Sequence, residues 1–245
     1  MTTAALTRPG LPRLAAVELR KSADTRAGFW LLFVIVGLAA ALVVISLIWG
    51  ETADKNLEPM FGGAIEVTSL ILPILGILLV TSEWSQRTGL TTFALVPQRE
   101  RVIAAKVIGA TVLTLAAIAA CLLVTAIGTA ISGGDWNLSL ELLGRHGLYA
   151  LIGVLGGVAF GLALLSSPLA IVMYFVIPIG WSILGETISA LDKPADWLDL
   201  SRPMAILLDG DMTGTAWAQL GTASAVWVGL VLAIGLARLH RAELK

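Results

Sequence analysis

A chain of 245 residues in which 57% are hydrophobic and 13% charged lies far from soluble composition, where about a quarter of residues carry charge. That excludes a sizeable aqueous domain, because apolar runs long enough to cross about 30 Å of hydrocarbon take up most of the length. The net charge of −1 carries little information, since charge in a membrane protein is segregated by side, and no nucleic-acid partner is expected. Cys121, the single cysteine, lies inside an apolar run, where it forms no intrachain disulfide and reads as a small packing residue.

Residues 1–28 are basic, with Arg8, Arg13, Arg20, Lys21 and Arg26 against Glu18 and Asp24. Helix can start after Pro12. Leu11, Leu14 and Val17 then fall on a broad apolar side, with Arg13, Arg20 and Asp24 opposite. An amphipathic helix along the membrane surface fits this pattern; the competing reading is a basic tail that orients the first span. Residues 29–49 are apolar and uncharged and read as an uncleaved spanning anchor. A polar loop follows, then a second span at 63–81 with Glu66 near its start and Pro73 inside. A proline there leaves a carbonyl without its donor, so Pro73 is expected to be a bend or a hinge.

The third span is expected at 107–132, the fourth at 148–165 and the fifth at 169–189, with Ser166-Ser167-Pro168 as the tight turn between the last two. Residues 190–216 form an acidic outer segment with the apolar patch Met204 to Leu208, and 218–236 closes the chain as a sixth span. Twelve basic residues fall on the side of both termini and four on the other, which predicts both termini in the cytoplasm of a multi-pass protein of the bacterial plasma membrane.

Between the second and third spans, residues 83–106 form a charged, turn-containing island holding four of the sixteen basic residues. It must reach water. The run Ser82-Glu83-Trp84-Ser85-Gln86-Arg87-Thr88-Gly89 to Thr91-Thr92-Phe93, followed by Pro97, Arg99, Arg101 and Ala104-Ala105-Lys106, resembles the cytoplasmic signature of the type-2 ATP-binding-cassette (ABC) transporter permeases, notably actinobacterial members. The layout agrees: an all-α integral membrane protein with six transmembrane helices, an amino-terminal amphipathic interface helix and an outer helical hairpin before the last span, all as one permease domain.

The resemblance implies an ABC exporter subunit that moves an amphipathic, lipid-like or drug-like substrate by alternating access, powered by a separate soluble ABC ATPase. It also implies a homodimer or a pair with a homologous permease. In such proteins this first connection forms a coupling helix seated on the ATPase, which maps that role onto Glu83, Trp84, Ser85, Gln86, Arg87, Thr88, Gly89, Thr91, Thr92, Arg99 and Arg101, with Pro97 as a second hinge. The alternative is that Trp84 and the arginines are ordinary interface anchors. No Gly-x-x-x-x-Gly-Lys-Ser/Thr loop occurs in the sequence, so ATP and Mg are expected on the partner ATPase, with no cofactor or metal held by this chain.

Gly153, Gly157 and Gly161 repeat at helical spacing in the fourth span, where small residues let two backbones approach; packing within the protomer is preferred to a dimer contact. Glu66 and Glu186 are the acids nearest hydrocarbon, read either as snorkelling near the outer ends of their spans or as part of a substrate path. Met204 and Leu207 mark an outer gate, or else helices lying on the outer leaflet. Catalysis is disfavoured because His146 and His240 have no metal-binding company. A non-transporting scaffold or immunity protein is the remaining class.

Overall fold

The computed structural model describes residues 10–85 and 99–241, and among them every regular element is helical. Six helical segments are long and apolar enough to cross a membrane: Gly28–Trp49, Leu57–Trp84, Arg99–Ser132, Leu140–Leu164, Ser167–Thr187 and Gly214–His240. The protein is a multi-pass, all-α membrane protein. Each of the six apolar runs read from the sequence overlaps one of these segments; 148–165 and 169–189 overrun the helix ends by one and two residues, while elsewhere the helices reach further than the runs. The third begins at Arg99 and the fourth at Leu140, eight residues earlier than the apolar runs in each case.

Helix α1 (Leu11–Asp24) is followed by α2 (Arg26–Trp49), whose amino end is capped by the Thr25 side chain accepting from Gly28 N at 3.2 Å. The second span is two helices, α3 (Leu57–Ser69) and α4 (Leu72–Ser85), interrupted at Leu70 and Ile71. There the ladder tightens, with Leu70 N donating to Val67 O and Ile71 N to Thr68 O. Pro73 therefore stands in the first turn of α4, where its missing N–H breaks no bond. Helices α5 (Arg99–Ser132), α6 (Leu140–Leu164) and α7 (Ser167–Thr187) complete the third to fifth spans. The short helices α8 (Asp192–Leu198) and α9 (Ser201–Asp209) precede α10 (Gly214–Ser224) and α11 (Val231–Arg241), which a π-helical turn at Ala225–Leu230 joins into the last span.

Between α6 and α7 the turn is Leu165 and Ser166, one residue ahead of the expected triplet; Ser167 and Pro168 already belong to α7. Leu165 adopts a left-handed conformation with φ 53°, a costly one for a side-chain-bearing residue.

The core is a seam between α4 and α6. A Cβ added to Gly157 would lie 2.1 Å from the Pro73 carbonyl oxygen, and one added to Gly76 would lie 2.4 Å from the Val154 carbonyl oxygen. A Cβ on Gly161 would lie 3.1 Å from Ile77 O, and one on Gly153 would make an ordinary contact with the Pro73 ring at 3.5 Å. The two backbones pack with almost nothing between them, so every glycine of the repeat faces a neighbour of its own chain. At the far end of α5, the loops before α3 and after α5 are laced together. Leu57 N donates to Asp135 O at 3.0 Å, Asp135 N to Asn56 Oδ1 at 2.9 Å, and Ser132 Oγ to Lys55 O at 3.0 Å.

Helix α1 differs from its sequence reading in which face it buries. The packed stripe is Ala15, Glu18 and Leu19, and α1 lies against α5 and α2. Val17, expected on the apolar side, is 46% exposed, on the side of Arg13 and Arg20. The reason is an acid that has an internal partner.

Candidate functional site

That partner is Lys106. Eight residues into α5, about 10 Å along the helix, its ammonium is 2% exposed, while Glu18 and Glu83 are each 5% exposed. Its protons are directed to Glu18 Oε2 at 2.6 Å, to the Leu79 carbonyl oxygen at 2.9 Å and to Glu83 Oε1 at 3.3 Å. Lys21 completes the group, donating to Glu18 Oε1 at 2.9 Å and Glu83 Oε1 at 2.8 Å. Two acids and two ammoniums thus form a neutral cluster joining α1, the last turn of α4 and the first third of α5. Burying such charges is tolerable only because each is paired and hydrogen-bonded. Burial of the Lys21 ammonium works against its charge, but the hydrogen bonds and attraction from Glu18 and Glu83 outweigh that and hold its pKa above the ordinary 10.5.

The cluster occupies the base of the island singled out in the sequence. Glu83, read there as a contact reaching into water, is turned inward and holds α1 and α5. Trp84 is half-buried and packs against the hydrophobic core. Ser85 ends α4, while Gln86, Arg87, Thr88, Gly89, Thr91, Thr92 and Pro97 lie outside the described residues. Arg99 and Arg101 stand in the first turn of α5; the Arg99 guanidinium donates to the Leu239 carbonyl oxygen of α11, and His240 Nε2 lies 3.6 Å from Glu100. Arg238 reaches Ala163 O at 2.5 Å, so the last helix is fastened to both α5 and α6 at this end.

Towards the other end lies a cavity of about 340 Å³. Glu66 of α3, Tyr149 and Phe160 of α6, Tyr174 of α7, Met204 of α9 and Trp227 of the π-helical turn are among its lining residues. Two of the aromatics are anchored: Tyr174 OH donates to Gly153 O at 3.3 Å, and Trp227 Nε1 to Leu198 O at 2.6 Å. Phe160 and Tyr174 meet edge to face at 5.5 Å between centroids. The π-helical turn supplies both Trp227 and Val228, in keeping with the concentration of such bulges at functional sites.

The structure brings Glu66 and Met204 to this one cavity, whereas Glu186 is exposed at the end of α7 and Leu207, on the same helix as Met204, is fully buried and does not line it. Helix α9 covers the cavity, and its approach is fixed by Asp199, which accepts from Ser201 N at 2.9 Å and Ser201 Oγ at 2.6 Å. Sequence reasoning missed Lys106, Glu18 and Lys21 as a unit; the Ala15, Glu18, Leu19 spacing was its one visible trace. It also missed the tyrosines and Trp227, for which the sequence offers no signal. No protein-family model and no curated protein matches the chain.

Proposed function

We propose that this chain is the membrane-spanning permease subunit of an ATP-driven exporter of the type-2 ABC class, working in a bacterial plasma membrane as a homodimer or with a homologous permease. A separate ABC ATPase, carrying ATP and Mg, engages the segment 86–98 and its flanks from the cytoplasm. The observation that supports this reading most is the four-charge cluster. Glu83 stands just before that segment and Lys106 eight residues beyond it; the two pair with each other, and Lys106 and Lys21 tie them to Glu18 of α1. A push delivered to the segment would therefore pass into three helices together, which is what driving alternating access requires. The half-buried Trp84 gives the flank a packed footing. The cargo in this reading is amphipathic or lipid-like.

The test is to purify the full chain from its native membranes in mild detergent and identify its companions by mass spectrometry. A phosphate-loop ATPase at near-equal stoichiometry is expected. Arg87→Glu should cut that recovery about tenfold, as loss of an interface charge pair does, with insertion unchanged. Equal recovery of the ATPase with Arg87→Glu would remove the segment from the mechanism, and recovery of the chain alone after crosslinking would sink the transporter reading.

A further inference from the structure

Glu66 is placed oddly for a carboxylate. Because the second span begins at Leu57, not near residue 63, Glu66 lies nine residues along it, about 13 Å from its start and a third of the way through the segment. The side chain is exposed on the surface of the bundle, within an apolar run where an ionised carboxylate gains from a countercharge. Among the described residues no Lys, Arg or His pairs with it, in contrast to Glu18 and Glu83. It opens instead on the cavity, together with Tyr149, Phe160, Tyr174, Met204 and Trp227.

An acid within a spanning segment with no internal countercharge, lining a chamber rich in aromatic rings, is the complement of one ligand chemistry. We propose that the cavity is a binding site for an organic cation with an apolar, ring-bearing body, whose charge is met by Glu66. The aromatic walls shed water from the body and add cation–π attraction to the charge. The polarisable Met204 thioether on α9 adapts to different shapes. At about 340 Å³ the cavity is within the range of small-molecule sites. The occupant's role as cargo rests on the exporter reading, but its binding does not.

The experiment is equilibrium dialysis of tetraphenylphosphonium and, separately, of uncharged triphenylphosphine oxide against the detergent-solubilised full chain, corrected with protein-free micelles. The wild type should hold the cation about tenfold more tightly than the neutral compound, and the nearly isosteric Glu66→Gln should erase that preference. Glu186→Gln, outside the cavity, should behave as the wild type. Equal affinity of the wild type for the two compounds overturns the proposal without recourse to any variant, as does a cation preference that survives Glu66→Gln. Neither result bears on recovery of the ATPase, so the two readings fail separately.

Discussion

Glu18 and Glu83 on one side of the molecule and Glu66 nearer the other are all carboxylates on helices of one bundle, yet their surroundings are opposite: the first two are buried and the third is exposed. The first two share two ammoniums, and Lys106 has its donors directed to two carboxylates and a carbonyl. Glu66 has a chamber. One end of the protein is electrically closed by its own side chains, and the other leaves a charge to be met from outside. Pairing of this kind builds rigidity, and its deliberate absence builds a site.

The strongest way to break the comparison is to open the closed end. Lys106→Met leaves two buried acids to share the half-exposed Lys21 alone, and loss of one partner of a buried pair costs about 3–5 kcal/mol. Thermal unfolding in detergent should register a large drop, with Glu18→Gln in the same chain restoring part of it; an unchanged midpoint would mean that the cluster holds nothing together.

The seam that joins the two ends offers a smaller effect. Gly157→Ala places a methyl against the Pro73 backbone, which cannot swing away as a side chain would, and overpacking of this sort costs about 1–3 kcal/mol. Gly37→Ala, with nothing within 4 Å, is the control and should be neutral or stabilising by up to about 1 kcal/mol.

The smallest effect concerns Lys21. Its raised pKa means that the stability it contributes is fully present below the ordinary value of 10.5 and is lost as pH rises through the higher folded value. With 42% of the side chain exposed, solvent screening keeps this below about 1 kcal/mol. Alkaline unfolding curves of wild type and Lys21→Met should converge above that range and separate below it. Parallel curves throughout would exclude Lys21 from the cluster's energetics.

The apolar runs made the spans legible, because hydrocarbon length is written directly in composition. Their ends were less so. Reading Lys106 and Glu83 as residues that must meet water set the third span to begin after Lys106, and only the arrival of Glu18 from about ninety residues away makes their burial affordable. No local pattern contains that information. Glu66 was legible as an anomaly, but its depth depended on where α3 begins, and that start is fixed by the laced loops at Asn56 and Asp135. The glycine repeat was legible as a close-packing face, while its partner Gly76 stood alone in another span and gave no such signal.

The π-helical turn at Ala225–Leu230 shifts the phase of the last span. Above it the buried positions are Ala216, Leu220 and Ala223, in step with a period of 3.6 residues; below it Gly235 and Leu239 are buried, and both arrive one residue late for that stripe. The wide turn absorbs the surplus residue, so both halves keep the same flank against the bundle even though one continuous helix would turn Leu239 away by about 100°. The last span is thus written in two reading frames of hydrophobicity, and the aromatic ring of Trp227 sits at the point where they change.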